Sequence, residues 1–168
     1  YNGLYWHSEA AGRFRGYHTK KTEAAAKINI RLFHLFEDEW RDRQEIVKSM
    51  IRHRLGLTSS RVQARTCSVK RLTSLETTSF FAVNHIDGHT RCKAAFGLID
   101  SAGKIVAAAS VRTPLTKANR DNTLEIARLC CLLNTSVPGS TGKLLSAVTC
   151  YAQELGATRI MSYVDGRH

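Results

Sequence analysis

The chain has 168 residues, of which 43% are hydrophobic and 23% are charged, and it contains two prolines. This composition is typical of one globular domain or two small ones, and it excludes disordered and fibrous proteins. No apolar run reaches the roughly 18 residues that span a bilayer, and no basic-then-apolar leader opens the chain. We therefore expect no membrane association.

Positive charge is the strongest signal in the composition. The formal net charge is +11 and the pI is about 9.8. Such a balance favours a polyanionic partner, above all nucleic acid, with a solvated basic surface as the alternative. No acid lies between Glu45 and Glu76, and this acid-free window predicts a phosphate-contacting surface. Its basic residues are Lys48, Arg52, Arg54, Arg61, Arg65, Lys70 and Arg71.

The cysteines exclude two kinds of stabilising site. Their number is odd and none forms a C-x-x-C pair, which excludes a disulfide framework and a zinc ribbon. We expect buried, reduced thiols in a cytosolic protein. The five are Cys67, Cys92, Cys130, Cys131 and Cys150.

Periodicity and helix-start signals predict four elements in the first third of the chain. Residues 2–6 resemble the end of a strand. Thr19 can cap a helix that runs to Lys27. The segment Ile30–Phe36 is almost wholly apolar and predicts a buried strand. A long amphipathic helix is predicted over Glu39–Leu55.

The rest of the chain predicts a second unit in which strands and helices are mixed. Two apolar runs joined by Ser101-Ala102-Gly103 indicate a hairpin. We expect an α/β (α+β) protein with three parts: 1–56, a basic linker at 57–66, and 67–168. The elements predicted in the last part are a strand near Cys67–Val69, a helix from about Ser74 to Val83, strands Ala94–Asp100, Lys104–Arg112 and Glu125–Leu132, a helix from Gly139 to Leu155, and a strand Thr158–Tyr163.

Two groups of residues in the first part suit phosphodiester hydrolysis. His7 follows the aromatic pair Tyr5-Trp6, where a histidine can take a proton from a water beside a metal ion. The acid triplet Glu37–Glu39 follows the predicted buried strand, and carboxylates at a sheet edge suit Mg²⁺. Each has a structural alternative: a histidine without catalytic function, and acids that complement a helix dipole.

Three stretches resemble one family when taken in order. They are G-L-Y-W-H-S-E at 3–9, Y-H-x-x-K-T at 17–22 and F-E-D-E-W at 36–40, and they look like the phage and bacterial homing endonucleases related to the very-short-patch mismatch repair endonuclease. The resemblance implies a restriction-endonuclease-like fold of the PD-(D/E)xK-like type, Mg²⁺ as cofactor, double-stranded DNA as partner, and a phage-encoded protein in the bacterial cytoplasm. The metal-binding Asp of that fold should precede Asn2, so we expect an incomplete nuclease centre in a piece of a longer chain.

The resemblance also implies roles for individual residues. His7 matches the histidine that activates water, and His18 falls near a position where the repair enzyme has an acid. Glu37 matches the acid that ends a core strand, which makes it a catalytic residue and a candidate metal ligand. The predicted DNA-binding residues are Tyr5, Trp6, Arg13, Arg15, Lys20, Lys21, Arg61 and Arg65.

The segment Pro138–Leu144 invites two phosphate-binding interpretations. A P-loop is excluded, because the spacing between its glycines is too short and Leu144 follows the lysine. The order strand, glycine-rich turn, helix and strand is similar to that of GNAT-type acetyltransferases, which bind the acyl-CoA pyrophosphate at a helix N-terminus, and of the related Mom-type DNA base modifiers. Gly139, Gly142 and Lys143 are then weak candidates for cofactor binding. An ordinary helix start without a ligand is equally compatible.

The leading functional hypothesis is a metal-dependent DNA endonuclease of the homing type, with a GNAT-like α/β domain at 67–168. The alternatives are a GNAT-like DNA-base-modifying or acyl-transfer enzyme, and a catalytically inactive DNA-binding protein. Segments of the last part that match phage members of the family are 84–88, 124–130 and 160–165. The oligomeric state stays open.

Overall fold

The computed structural model of the protein describes residues 17–116 and 120–163. The chain divides into two compact units, one formed by residues 1–47 with 164–168 and the other by residues 48–163. None of the helices in the described ranges is long and apolar enough to cross a membrane.

The described part of the first unit is helical. It contains α1 (Tyr17–Lys27), α2 (Glu37–Asp42) and the beginning of α3 (Gln44–Arg54), which continues into the second unit. Between α1 and α2 the buried His34 places Nε2 2.9 Å from the Thr22 hydroxyl. Thr19, which was predicted to cap the first helix, lies inside α1, because that helix already includes Tyr17.

The predicted strand Ile30–Phe36 is wrong. Residues 30–35 have neither helix nor strand, and Phe36 takes part in an isolated bridge directly before α2. An apolar run forms a strand only beside a partner strand, and no described strand pairs with residues 30–35. Ile30 is 53% exposed, so its apolar side chain is not part of a core.

The predicted helix Glu39–Leu55 is two helices that meet at Arg43. The backbone there is not helical, with φ −135° and ψ 33°. Its amide donates to the Glu39 carbonyl (2.8 Å) and closes α2, while its carbonyl accepts from Val47 (3.1 Å) and opens α3. Gly56 ends α3 with a φ of +70°, a left-handed conformation that glycine adopts without strain.

A five-stranded sheet dominates the second unit, in the order β2-β3-β4-β5-β7. The strands from β2 to β5 are antiparallel to one another, and β7 pairs with β5 in parallel. The predicted hairpin and the other predicted strands of this unit are confirmed to within a few residues. The strands are β2 (Ser68–Arg71), β3 (Ala94–Ile99), β4 (Ile105–Arg112), β5 (Thr123–Cys131) and β7 (Arg159–Ser162).

A second, two-stranded sheet lies after α3. It pairs β1 (Ser60–Arg61) in parallel with β6 (Thr135–Ser136). A 3-10 turn, Ala64–Thr66, follows β1. Residues 57–66, predicted as a linker, thus contain a strand and a turn in the second unit.

Helices cover both faces of the large sheet. On one face α5 (Ser140–Glu154) buries Leu144 and Val148 completely, in the same core cluster as Leu98. On the other face α4 (Ser74–Asn84) buries Phe80 and Phe81 in a cluster with alanines of β3 and β4. Full burial of one such side chain contributes about 1.5–3 kcal/mol. Both helices were predicted, and both are confirmed.

Candidate functional site

The parallel strands β5 and β7 pair along only part of their length. Residues Thr123–Ile126 pair with Arg159–Ser162. β5 then continues through residues 127–131, which have no partner on the described part of β7. Burial changes at the same point, because Thr123–Ile126 are buried whereas residues 127–131 are partly exposed or exposed. We call residues 127–131 the open half of β5.

A β-bulge marks the start of the open half. On β4, Ser110 pairs with Arg128 and Val111 pairs with Ile126, so Ala127 is an extra residue in β5. Such a bulge bends the strand and increases its twist. The bulge lies directly after the last described pair between β5 and β7, Ile126 with Ser162.

The N-terminus of α5 follows the end of β5 by a short connection. Its N-cap, Gly139, has a φ of +81°, which a residue with a side chain adopts only with strain. The amide of Ser140 donates to Val137 (3.0 Å) and that of Lys143 to Gly139 (3.2 Å). The amides of Thr141 and Gly142 have no acceptor in a preceding turn, as at any helix start, and they can bind an anion.

A cavity of about 430 Å³ opens at this N-terminus. The amine of Lys143 does not line it as a free cation, because it donates to the carbonyls of Ala64 (3.0 Å) and Cys67 (2.5 Å). The guanidinium of Arg65, an exposed residue of the 3-10 turn, supplies the positive charge instead. The residues around the cavity are Gln63, Ala64, Arg65, Pro138, Gly139 and Lys143.

The segment after α4 is tied to β5 at two points that bracket the open half. The side-chain oxygen of Asn84 accepts from the amide of Leu133 (2.9 Å), just beyond the end of β5. The Nε of Arg128 donates to the carbonyl of Gly88 (3.0 Å) near the start of the open half. Residues 85–87 therefore run alongside the open half of β5.

A buried ion pair lies on the same face of the sheet as Arg128. Glu125 is 1% exposed, and its Oε1 accepts from Nε (2.9 Å) and Nη2 (2.5 Å) of Arg112. Nη1 of Arg112 donates to the Thr90 hydroxyl (3.3 Å), which adds a third tie between the segment and the sheet. The other carboxylate oxygen of Glu125 and the hydroxyl of Ser110 are buried without a partner in the described residues.

Within the segment 85–87, the side chain of His85 has a strongly lowered pKa. Its Nδ1 accepts from the amide of Asp87 (3.1 Å), and its side chain is 17% exposed. Burial, together with the positive charge of Arg128, lowers the pKa of His85 to about 4, against an opposing effect of Asp87. The ring is therefore neutral at physiological pH.

Two cysteines of β5 are kept protonated by their surroundings. Burial raises the pKa of both Cys130 and Cys131. The Cys131 sulfur lies 3.7 Å from the Ser140 hydroxyl at the start of α5. A protonated thiol is a poor nucleophile, so neither residue suits covalent catalysis at neutral pH.

The structure brings some predicted site residues together and separates others. Gly139 and Lys143, the weak cofactor-binding candidates, line the cavity beside Arg65, which was predicted to contact DNA. Gly142 is exposed on α5, and a Cβ there would meet no atom within 4 Å. Arg61 is exposed on β1 and does not line this cavity.

The structure describes only some of the residues that were predicted to form the nuclease site and its DNA contacts. His18, on α1, makes edge-to-face ring contacts with His34 (5.0 Å) and Phe36 (5.2 Å). Glu37 is an exposed first residue of α2, where its charge complements the helix dipole. Lys20 and Lys21 are exposed on α1. His7, Tyr5, Trp6, Arg13 and Arg15 lie outside the described residues.

Sequence reasoning missed His85, Arg112, Glu125 and Arg128. Segments 84–88 and 124–130 were noted as matches, yet no role followed from them. The charged residues in the predicted strands could have indicated an ion pair. An acid or an arginine within an otherwise apolar strand is rarely buried unless it is paired. The pairing partner, however, lies on another strand.

Comparisons with known proteins support only part of the sequence interpretation. No protein-family model matches the chain, and no curated protein matches it. A solved structure of an aminoglycoside acetyltransferase from an uncultured soil metagenomic sample is similar over 60% of this chain and 80% of that chain, with a TM-score of 0.46 and 15% identity. The chain's own elements, a five-stranded sheet with helices on both faces, make its fold mixed α/β. At this identity the similarity concerns the fold alone.

The prediction of a metal-dependent DNA endonuclease is wrong. The similar solved structure is a transferase and not a hydrolase. The strand that was to carry Glu37 is absent, because residues 30–35 are irregular. Within 17–116 and 120–163, no group of three or more His, Cys, Asp or Glu could hold a metal ion, and the expected Mg²⁺ stays a prediction.

Proposed function

We propose that the 48–163 unit is an acyltransferase that takes its acyl group from an acyl-CoA thioester. One observation carries this proposal: the open half of β5 ends beside the N-terminus of α5, where the cavity lies. In open sheets with parallel strands, ligands bind in the crevice outside the carboxyl ends of the strands. The carboxyl end of β5 leads to the start of α5, where the Cys131 sulfur lies 3.7 Å from the Ser140 hydroxyl.

The chemistry of coenzyme A matches the two parts of this crevice. Its pyrophosphate suits the free amides of Thr141 and Gly142 together with the guanidinium of Arg65. Its pantetheine arm contains two amide groups, which can pair as an added strand would with the backbone of residues 127–131, for which the described part of β7 provides no partner. The thioester would then lie alongside the open half of β5, within the sheet.

Isothermal titration of the full chain with coenzyme A tests the proposal. We expect saturable binding that the Arg65→Ala substitution weakens about tenfold, because one charge-assisted contact is lost. Arg61→Ala is the matched control, since Arg61 is an exposed arginine outside the cavity. Absence of binding by the unsubstituted protein, to coenzyme A and to acetyl-CoA alike, would refute the function.

A second candidate function, nucleic-acid binding, is favoured by the charge of the same unit. Residues 48–163 contain 16 Lys and Arg against 6 Asp and Glu, which gives +10 of the net +11. Two of those acids are already neutralised within the unit, Glu76 by Lys70 (2.6 Å) and Glu125 by Arg112. This excess supports a polyanion, such as double-stranded DNA, as the partner or as the carrier of the acyl acceptor.

Salt dependence tests this second candidate. Binding to a fluorescent random-sequence DNA duplex should weaken with a log–log slope of about −0.9 for each phosphate contacted. Replacing Arg61 and Arg65 together by Ala should flatten the slope by about 2 and leave sequence preference unchanged, because phosphate contacts carry no sequence information. An unchanged slope would mean that neither arginine touches DNA.

A further inference from the structure

The segment 84–88 is anchored along the open half of β5, where the proposed acyl transfer takes place. Asn84 is hydrogen-bonded to the amide of Leu133, beyond the end of the open half of β5. Gly88 is hydrogen-bonded to the side chain of Arg128, near the start of the open half. His85 lies between these anchors, and its backbone amide caps the end of α4 by donating to Phe81 (3.1 Å). The backbone of His85 is thus anchored on both sides, and its ring packs edge-to-face against Phe81, with the ring centroids 6.3 Å apart.

The hydrogen bonding of the His85 ring determines which nitrogen carries its proton. Nδ1 accepts from the Asp87 amide, so it holds a lone pair and no hydrogen. In the neutral ring the proton is then on Nε2, for which the described residues provide no acceptor. The ring cannot act as a base through Nε2, but it can donate a hydrogen bond from it.

The charges around His85 favour an interaction with developing negative charge. Arg128 and Asp87 are the charged groups that influence the ring, and Arg128 has the larger effect. The guanidinium of Arg128 is held by the carbonyls of Gly88 (3.0 Å) and Ala127 (2.8 Å). A fixed cation beside a neutral N–H donor is a preorganised environment for an oxyanion.

We propose that His85 is a catalytic residue whose Nε2–H donates a hydrogen bond to the thioester carbonyl oxygen as negative charge develops on it. This inference rests on the acyltransferase function proposed above. It assigns a role to a side chain of the segment after α4, on the face of the sheet that α5 does not cover.

The chemical step needs no further reagent. The acceptor nitrogen attacks the thioester carbon, a C–N bond forms, and the carbonyl electron pair moves to the oxygen that Nε2–H stabilises. When the carbonyl re-forms, the C–S bond breaks and the electron pair leaves with sulfur. The proton released by the acceptor nitrogen is taken up by the coenzyme A thiolate, which gives an amide and free thiol.

Two substitutions separate this role from a structural one. His85→Asn keeps a short side-chain acceptor for the Asp87 amide but removes the distal donor. His85→Gln keeps an N–H donor at about the position of Nε2 but not the local acceptor. His89→Asn, in the same loop and exposed, is the matched control. The assay is consumption of acetyl-CoA by the full chain with hydroxylamine as the acceptor, followed by loss of thioester absorbance.

The expected result is a kcat about 100-fold lower for His85→Asn with KM for acetyl-CoA little changed, and a kcat within tenfold of the unsubstituted protein for His85→Gln. A His85→Asn variant with unchanged kcat overturns the inference and leaves the acyltransferase function in place. If the unsubstituted protein neither binds nor consumes acetyl-CoA, both proposals fail together.

A measurement on the unsubstituted chain covers the case in which His85→Asn does not fold. Long-range ¹H–¹⁵N spectra identify the protonated ring nitrogen of each histidine, with His85→Gln used for assignment. We expect the Nε2-protonated form at neutral pH and a shift of its Nε2 resonance on addition of acetyl-CoA. An Nδ1-protonated ring, or a resonance that acetyl-CoA leaves unmoved, overturns the inference.

Discussion

Removing Arg112 should destabilise the 48–163 unit more than removing any exposed charge. Arg112→Met takes away both hydrogen bonds to Oε1 of Glu125, whose other oxygen already has no partner in the described residues. The carboxylate is 1% exposed and would stay buried without compensation. Breaking a buried pair in this way costs about 3–5 kcal/mol.

The double substitution Arg112→Met with Glu125→Leu separates loss of the pair from loss of packing. It removes both charges and fills a similar volume with apolar atoms, so we expect a stability within about 1 kcal/mol of the original protein. Lys70→Met is the control for an exposed pair. The side chains of Lys70 and of its partner Glu76 are 51% and 30% exposed. We therefore expect little change in the free energy of unfolding.

Amide hydrogen exchange is the suitable assay. Both tryptophans, Trp6 and Trp40, lie outside residues 48–163, so tryptophan fluorescence does not report on this unit. Mass spectrometry of peptides from β4 and β5 gives the free energy of opening at the pair itself. A loss below about 1 kcal/mol in Arg112→Met, or a double variant as unstable as the single one, would refute the argument.

Three further outcomes follow from local geometry. Gly97→Ala should lower the free energy of unfolding by about 1–2 kcal/mol, because the added Cβ would lie 2.7 Å from Cδ2 of the buried Leu72. Adding Leu72→Val should recover part of this loss, as measured by chemical denaturation of the single and double variants. Asn134 has a φ of +54°, a left-handed conformation that glycine adopts without strain and alanine does not. In chemical denaturation, Asn134→Ala should therefore be about 1 kcal/mol less stable than Asn134→Gly, and equal stability of the two variants would contradict this reason. The pKa of His85 is lowered from 6.5 to about 4, so the unfolded chain binds more protons between these values and stability falls as pH drops through that window. His85→Asn should lose part of this dependence in melting curves, and identical pH profiles would show that His85 does not contribute.

The site was predicted only in fragments. Gly139 and Lys143 were singled out because a glycine-rich helix start follows a strand, and both line the cavity. Arg65 was predicted from the acid-free window, with DNA as its partner. That it lies at the same cavity as Gly139 depends on the parallel pairing of β1 with β6, which no local pattern specifies. The charged pairs beneath the segment 84–88 were not predicted at all.

Local patterns account for the helices and for the strands of the large sheet in the second unit, whereas β1 and β6 follow from no local pattern and were not predicted. The Thr73–Glu76 capping box, the turn at Gly103 and the glycine ends of α5 act within a few residues, so their signals are local. The segment Ile30–Phe36 shows the opposite case: its apolar composition favours a strand, but strand formation needs hydrogen bonds from a neighbour. The open half of β5, the anchoring of Asn84 at Leu133 and the burial of Glu125 against Arg112 likewise join residues far apart in the chain. These features arise only in the folded chain, because each depends on which backbone lies alongside and not on the residues of the segment itself.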